Sequence, residues 1–239
     1  GSGIMFRESE DEGRTWTDPV IVYPLHALCC TGYVTVLSDG RIVAPAFRWI
    51  GHDPRPESEE FTAPTISYSF ACVSDDEGRT WRTSHSQLFI SHYRFSTDLE
   101  EPTVIELTDG RLLMHLRSQV GRPYRSYSTD RGMTWSRPEA LPIAASYAPG
   151  VLRRMPTGEI LMVWNQSSRG ESLMGLDRHR LSCAVSRDEG ETWENFKNLE
   201  SLDDRTVLKP PPADRLEIIQ RWEDPIGQCQ PGDAEAYPR

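Results

Sequence analysis

An eight-residue phrase of the pattern S-x-D-x-G-x-T-W occurs four times in this chain and constrains its fold more than any other feature. The copies span residues 9–16, 74–81, 128–135 and 186–193, and each keeps all five fixed positions. They start 65, 54 and 58 residues apart along the chain. Chance does not repeat five fixed positions four times without a mismatch, so the phrase indicates a repeat architecture built from similar units.

The residue types of the phrase predict a tight hairpin turn. Aspartate accepts hydrogen bonds from nearby backbone N–H groups, and glycine adopts a positive φ at low steric cost. The serine and threonine hydroxyls can tie the turn to itself, and tryptophan can fill an apolar gap beneath it. We therefore expect each copy to be a structural turn that connects two strands.

A second repeat, offset from the first, predicts another hairpin in each unit. Asp-Gly pairs at 39–40 and 109–110 lie between apolar runs, and a Thr-Gly pair at 157–158 is a looser third copy. Asp-Gly between apolar runs is the strongest short hairpin signal. Each unit is thus strand, Asp-Gly hairpin, strand, variable loop, strand, S-x-D turn, strand. This order predicts an all-β chain of four-stranded antiparallel blades.

The fourfold phrase resembles the Asp-box, or BNR repeat, of the sialidase (neuraminidase) superfamily. The resemblance covers residues 4–195. It implies a β-propeller that has six blades when complete, of which about four are represented here. It also implies that the boxes are structural turns placed away from the catalytic pocket. Because the first box begins at residue 9, few residues precede it, and we expect a partial propeller.

Two regions are expected along the chain. Residues 1–195 form the blades of the incomplete propeller, and residues 196–239 form an irregular tail, rich in proline and acidic residues, that leads toward a missing blade. An open arc of blades would leave unpaired strand edges and apolar flanks at both ends. A complete propeller is expected to be a monomer.

Composition and charge exclude several classes of function. The chain has 239 residues and a net charge of −10, which argues against a nucleic-acid partner. No window approaches the apolar length of a membrane span. Five cysteines do not suggest a disulfide framework, and six histidines lack metal-ligand spacing, so we expect no cofactor and no metal. The compartment stays open, although a secreted or periplasmic parent protein fits the resemblance.

Residues 100–117 carry the candidate chemistry. Glu101 stands where the chain enters a strand, and Arg117 stands at the far end of the following hairpin, so the two ends should meet across the strand pair. The segment resembles the sialidase stretch in which a Glu is followed by V-x-E-L-x-D-G-R-L-L-x-N-x-R, with matching spacing. The resemblance implies that Glu101 is catalytic and polarises a tyrosine nucleophile, and that Arg117 is one of three arginines binding the sialic acid carboxylate. His115 departs from the pattern, which has Asn there. The structural alternative is a solvated acid at 101 and a surface ion-pair partner at 117.

Further substrate-binding candidates follow from the same resemblance. It implies another carboxylate-binding arginine a few residues before the last box, where Arg178 fits best and Arg180 is close. Residues two apart on a strand share a face, so both could approach the pocket, or both could simply protect a strand edge. Arginine suits the role because its planar fork makes bidentate bonds to a carboxylate. Trp49 and Tyr124 stand beside arginine-rich loops and are candidates for lining a sugar site.

Three residues that the resemblance implies are not identified. The family's first carboxylate-binding Arg and its acid/base Asp precede the first box, and the only tyrosine after Trp193 is Tyr237, with no strand behind it. Asp53 and Asp98, expected in loops near the pocket rim, are more simply explained as loop residues. Two functions therefore stay open. One is a retaining exo-α-sialidase-like hydrolase acting on a sialic acid-containing or related glycan, represented here by an inactive fragment. The alternative is a non-catalytic Asp-box propeller that binds a glycan or a protein.

Overall fold

The computed structural model describes residues 3–25, 27, 34–50, 66–92 and 96–212. Within these ranges the chain forms five antiparallel sheets and one short helix. Blade one has two strands, β1 (Ile4–Phe6) and β2 (Val20–Tyr23). Blade two has four, which are β3 (Thr35–Val36), β4 (Ile42–Ile50), β5 (Ile66–Ser74) and β6 (Arg82–Thr83). A two-stranded hairpin, β7 (Ile90–His92) and β8 (Ser96–Asp98), follows it.

Blades three and four complete the described architecture. Blade three has the strands β9 (Glu100–Glu106), β10 (Leu112–Arg117), β11 (Tyr124–Ser128) and β12 (Glu139–Ala140). Blade four has the strands β13 (Val151–Arg154), β14 (Ile160–Asn165), β15 (Leu181–Ser186) and β16 (Glu194–Glu200). The helix α1 (Arg169–Leu173) lies in the loop between β14 and β15. Strands pair in chain order within each blade, which confirms the predicted all-β meander of four-stranded antiparallel blades.

The apolar core lies between successive blades. One cluster joins blades one and two around Val22 and Phe70, a second joins blades two and three, and a third joins blades three and four. Strand β10 contributes to two of them, because Met114 packs toward blade two and Leu113 toward blade four. Side chains alternate across a strand, so a blade in the middle of the stack buries both faces. This explains why all six residues of β10, including His115 and Arg117, are buried.

All four S-x-D turns fold in the same way. In each, the serine Oγ accepts from the glycine N–H at 2.8 Å, and the aspartate Oδ1 accepts from the threonine N–H at 2.8 Å. The residue before each glycine also has a positive φ, between 58° and 61°. The tryptophan N–H donates to the glycine carbonyl in the first three turns, whereas Trp193 Nε1 is buried without a partner among the described residues.

The turns lie at the opposite end of the blade from Arg117. Leu112 pairs with Ser128, the first residue of the third S-x-D turn, whereas Leu116 pairs with Tyr124 at the other end of β10. Leu112 and Arg117 are five residues apart in extended chain, which corresponds to about 17 Å. This placement agrees with a structural role for the turns.

Blade four continues beyond the boundary expected at residue 195, because β16 runs to Glu200. The chain then returns toward the blade, where the Gln166 amide donates to Thr206 O at 3.0 Å and accepts from Leu208 N at 2.7 Å. Residues 213–239, including Tyr237, lie outside the described ranges. In the part of the chain that is described, no helix is long and apolar enough to cross a membrane.

Candidate functional site

Glu101 and Arg117 meet at the end of blade three that lies away from the S-x-D turns. The Arg117 Nη1 and Glu101 Oε2 atoms are 2.6 Å apart. The side chain of Arg117 is 4% exposed and that of Glu101 is 15% exposed. The expectation that these two residues come together across the β9–β10 hairpin therefore agrees with the geometry, and a solvated pair at the surface does not.

A distorted backbone at the start of β9 directs two successive carboxylates toward one arginine. Neighbouring residues in a regular strand point to opposite faces. Here Arg117 pairs in register with Glu100, the register shifts between His115 and Arg117, and Glu101 has a φ of 45°. Leu99 has a φ of 132°, so unusual φ values lie on both sides of Glu100. Such conformations cost about 1–3 kcal/mol each and concentrate at functional sites.

Glu100 binds three donors from three parts of the fold and was not recognised from the sequence. Its Oε1 accepts from Trp49 Nε1 at 2.5 Å, and its Oε2 accepts from Arg117 Nη2 and Tyr147 Oη at 2.6 Å each. The Arg117 guanidinium also lies 3.8 Å from the centre of the Tyr147 ring. Trp49 and Tyr147 are 51 and 47 residues from Glu100 in sequence, so no local pattern signals these contacts.

Acidic groups crowd this end of blade three. Asp98, expected in a loop near the rim, is fully buried at the end of β8, where it accepts from Leu99 N at 2.9 Å and Gln119 N at 2.5 Å. Burial, with the neighbouring charge of Glu100, raises the pKa of Asp98 to about 8. Burial also raises the pKa of Glu101, an effect that the positive charges of Arg117 and Arg178 oppose. Burial is therefore the largest cause of the raised pKa of both Asp98 and Glu101, and the neighbouring guanidinium charge offsets it only in part.

Arg178 and Arg180 have different environments, which corrects the expectation that they share a strand face. Both precede β15, which begins at Leu181, so strand alternation does not apply to them. Arg178 is exposed in a turn, and its charge acts on Glu101. Arg180 is 0% exposed and donates to Glu171 and Asp203 at 3.0 and 2.5 Å. The geometry thus favours Arg178 as the arginine available to a ligand, and Arg180 as an internal tie.

The two aromatic candidates also differ. Trp49 is half-buried beside the site, with its N–H on Glu100. Tyr124 is 4% exposed and packs in the core cluster between blades two and three. The expectation for Tyr124 rested on neighbouring arginines in the sequence, which do not reveal the direction of its ring. Asp53 lies outside the described residues.

One group of metal-type ligands occurs within the described ranges. The ligand atoms of Glu171, His179 and Asp203 lie within 4.8 Å of one another. Arg180 and Arg205 both donate to Glu171 and to Asp203, which compensates the two carboxylates with guanidinium charge. We therefore assign this cluster the role of anchoring the loop before β15 to the segment after β16.

Comparisons with known proteins cover different shares of the chain. The family described as "BNR repeat-like domain" matches residues 1–234. A curated relative, the sialidase of Micromonospora viridifaciens, is 27% identical over 150 residues. That match covers 56% of this chain and 21% of the relative, so the chain spans about a fifth of its length.

Similar solved structures share the fold at low identity. The NanB sialidase of Streptococcus pneumoniae has a TM-score of 0.58 at 17% identity, with 82% of this chain and 28% of that chain covered. A leech intramolecular trans-sialidase gives 0.59 at 18% identity, with 82% and 29% covered. A protein of unknown function from Dyadobacter fermentans gives 0.53 at 19% identity, with 82% and 58% covered. These likenesses establish a sialidase-like propeller fold.

Proposed function

We propose, since this chain belongs to the BNR repeat-like domain family, that it is part of a retaining exo-α-sialidase-type glycoside hydrolase. The substrate class would be glycans that end in sialic acid. A distant sialidase relative and the sialidase-like fold support the class of enzyme. The roles of individual residues rest on the geometry at the start of β9.

The pairing of Glu101 with Arg117 is the observation that carries this proposal. Sialic acid has a carboxylate on its anomeric carbon, so arginines that bind this group also orient the reacting centre. Arg117 is fixed and nearly buried at the rim, and the exposed Arg178 lies close enough for its charge to act on Glu101. Two guanidinium groups of this kind can compensate an anionic ligand in a chain whose net charge is −10.

Glu101 would act as the base that accepts a proton from a tyrosine nucleophile. A neutral phenol approaches an anionic sugar with less repulsion than a carboxylate does, which explains a departure from the usual pair of carboxylates in glycosidases. Within the described residues no tyrosine hydroxyl donates to Glu101, because Tyr147 donates to Glu100 instead. The nucleophile and the acid are therefore not assigned to residues of this chain.

Turnover of a fluorogenic α-sialoside tests the catalytic assignment. We expect the chain to release no more fluorophore than its Glu101→Gln variant, because within the described residues no tyrosine hydroxyl donates to Glu101. Robust turnover that Glu101→Gln abolishes would contradict the expected inactivity while supporting the role of Glu101. Turnover that is equal in both proteins and well above the buffer rate would contradict the role of Glu101 itself.

A non-catalytic propeller that binds a glycan or protein is the second candidate. It is favoured because Glu100 and Glu101 both form ion pairs with Arg117, and within the described residues no tyrosine hydroxyl donates to Glu101. Binding of free N-acetylneuraminic acid separates the candidates in part. Failure to bind this acid at any accessible concentration would contradict the sialidase-type function and leave the second candidate.

A further inference from the structure

Glu100 is a buried carboxylate that joins three parts of the fold at the candidate site. It is 1% exposed. Its donors come from β4 of blade two, from β10 of blade three and from the segment that precedes blade four. A buried carboxylate is costly unless charged and hydrogen-bonding partners compensate it, and here both oxygens are engaged. This contact is the feature that fixes the relative positions of Trp49, Arg117 and Tyr147.

The guanidinium of Arg117 is restrained in two directions. Glu100 holds it in its plane through Nη2 at 2.6 Å, and the Tyr147 ring covers one of its faces at 3.8 Å. Tyr147 in turn donates its hydroxyl to the same Glu100 oxygen that receives Arg117. An arginine held in this way loses little freedom when it binds a planar acceptor, which increases affinity without a new contact.

We propose that Glu100 is a positioning residue that orients Arg117 for carboxylate binding, with Tyr147 as the second part of the same device. This inference rests on the proposed function. Glu101 differs from Glu100 in this account, because it contacts Arg117 from the more exposed side and would face the substrate. The unusual φ values of Leu99 and Glu101 are consistent with it, since strained backbone persists where surrounding contacts fix it.

Glu100→Gln is the informative variant. The amide keeps the size of the side chain and one oxygen that can accept from Trp49, but its NH₂ group is a donor and can accept from neither Arg117 nor Tyr147. The matched control is Glu139→Gln, which alters an exposed carboxylate of blade three that pairs with Arg125. Tyr147→Phe is the second variant, because it keeps the ring on Arg117 and removes only the hydroxyl.

The first readout is the dissociation constant for N-acetylneuraminic acid compared with that for its methyl ester, which lacks the negative charge. We expect Glu100→Gln to weaken acid binding about ten-fold, with ester binding and the Glu139→Gln control unchanged. Tyr147→Phe should have a smaller effect of the same kind. Equal losses of acid and ester binding, or no loss of either, would overturn the proposal.

The second readout needs no ligand and keeps this proposal separate from the proposed function. Burial and the charge of Glu100 raise the pKa of Tyr147. The ultraviolet absorbance of tyrosinate in Glu100→Gln should therefore show one tyrosine ionising at lower pH than in the wild type, and Tyr147→Phe added to that variant should remove the change. If the wild type showed no preference for the acid, the proposed function would fail. An unaltered tyrosine titration in Glu100→Gln would overturn the pairing of Tyr147 with Glu100 that this proposal requires.

Discussion

His115 is a buried histidine whose two ring nitrogens have no hydrogen-bond partner within the described part of the chain. It is 2% exposed, and Gly150 packs so closely that a Cβ there would lie 2.6 Å from Cε1. Burial lowers the pKa of His115 from 6.5 to about 4, because desolvation disfavours the charged ring. The ring is therefore neutral in the folded protein at neutral pH.

We expect His115→Asn to remove a pH-dependent part of the stability. Because the folded pKa lies below the unfolded one, the contribution of the neutral ring is complete above about pH 6.5 and is lost as the pH falls toward 4. Full loss corresponds to about 3 kcal/mol of unfolding free energy. Urea unfolding at a series of pH values measures it, with His85→Asn at an exposed position as the control. Parallel pH profiles for wild type and His115→Asn would contradict this account.

At the scale of the structural elements, the S-x-D turns hold neighbouring blades together. The glycine of each of the last three turns packs against a side chain of the preceding blade, the pairs being Gly78 with Phe6, Gly132 with Val73 and Gly190 with Leu113. Arg125 of blade three also donates to Gly190 O in blade four at 2.8 Å. The repeat therefore encodes both a local turn and the spacing between blades.

Substitution of two glycines that share a positive φ separates the energetic cost of changing a local turn from the cost of changing a contact between blades. Gly190 has a φ of +88°, and a Cβ there would lie 2.6 Å from Leu113 Cδ2, whereas Gly110 has a φ of +83° and open space. Both alanine variants should lose about 1 kcal/mol from the positive φ. Gly190→Ala should lose about 1–3 kcal/mol more, because Leu113 is buried and cannot move freely. Equal urea midpoints for the two variants would contradict a stability cost from the close contact between Gly190 and Leu113.

At the scale of the whole molecule, local signals predicted the fold and only part of the site. The turns and the Asp-Gly hairpins are encoded within a few adjacent residues, so the blades could be derived from the sequence. The approach of Glu101 to Arg117 followed from a single hairpin. The contacts of Glu100 with Trp49 and Tyr147 join different blades, and no short pattern reports them.

The difference between the exposed Arg178 and the buried Arg180 could not be predicted for a related reason. It depends on where β15 begins and on the distant partners Glu171 and Asp203, which bury Arg180. The φ of Glu101 likewise cannot be read from its residue type, although it allows two neighbouring carboxylates to reach one arginine. The sequence therefore predicted which segments meet at the candidate site better than it predicted which of their side chains are exposed.

The central claim is that Arg117 and Arg178, at the end of the blades that lies away from the S-x-D turns, bind the carboxylate of sialic acid. Comparison of N-acetylneuraminic acid with its methyl ester, for the chain and for its Arg178→Ala variant, tests this most directly. The matched control is Arg187→Ala, an exposed arginine of the last S-x-D turn that pairs with Glu159 and Glu194.

We predict that the chain binds the acid about ten-fold more tightly than the ester, that Arg178→Ala removes this preference, and that Arg187→Ala keeps it. Equal affinity for acid and ester in the wild type, or a preference that survives Arg178→Ala unchanged, would contradict the claim.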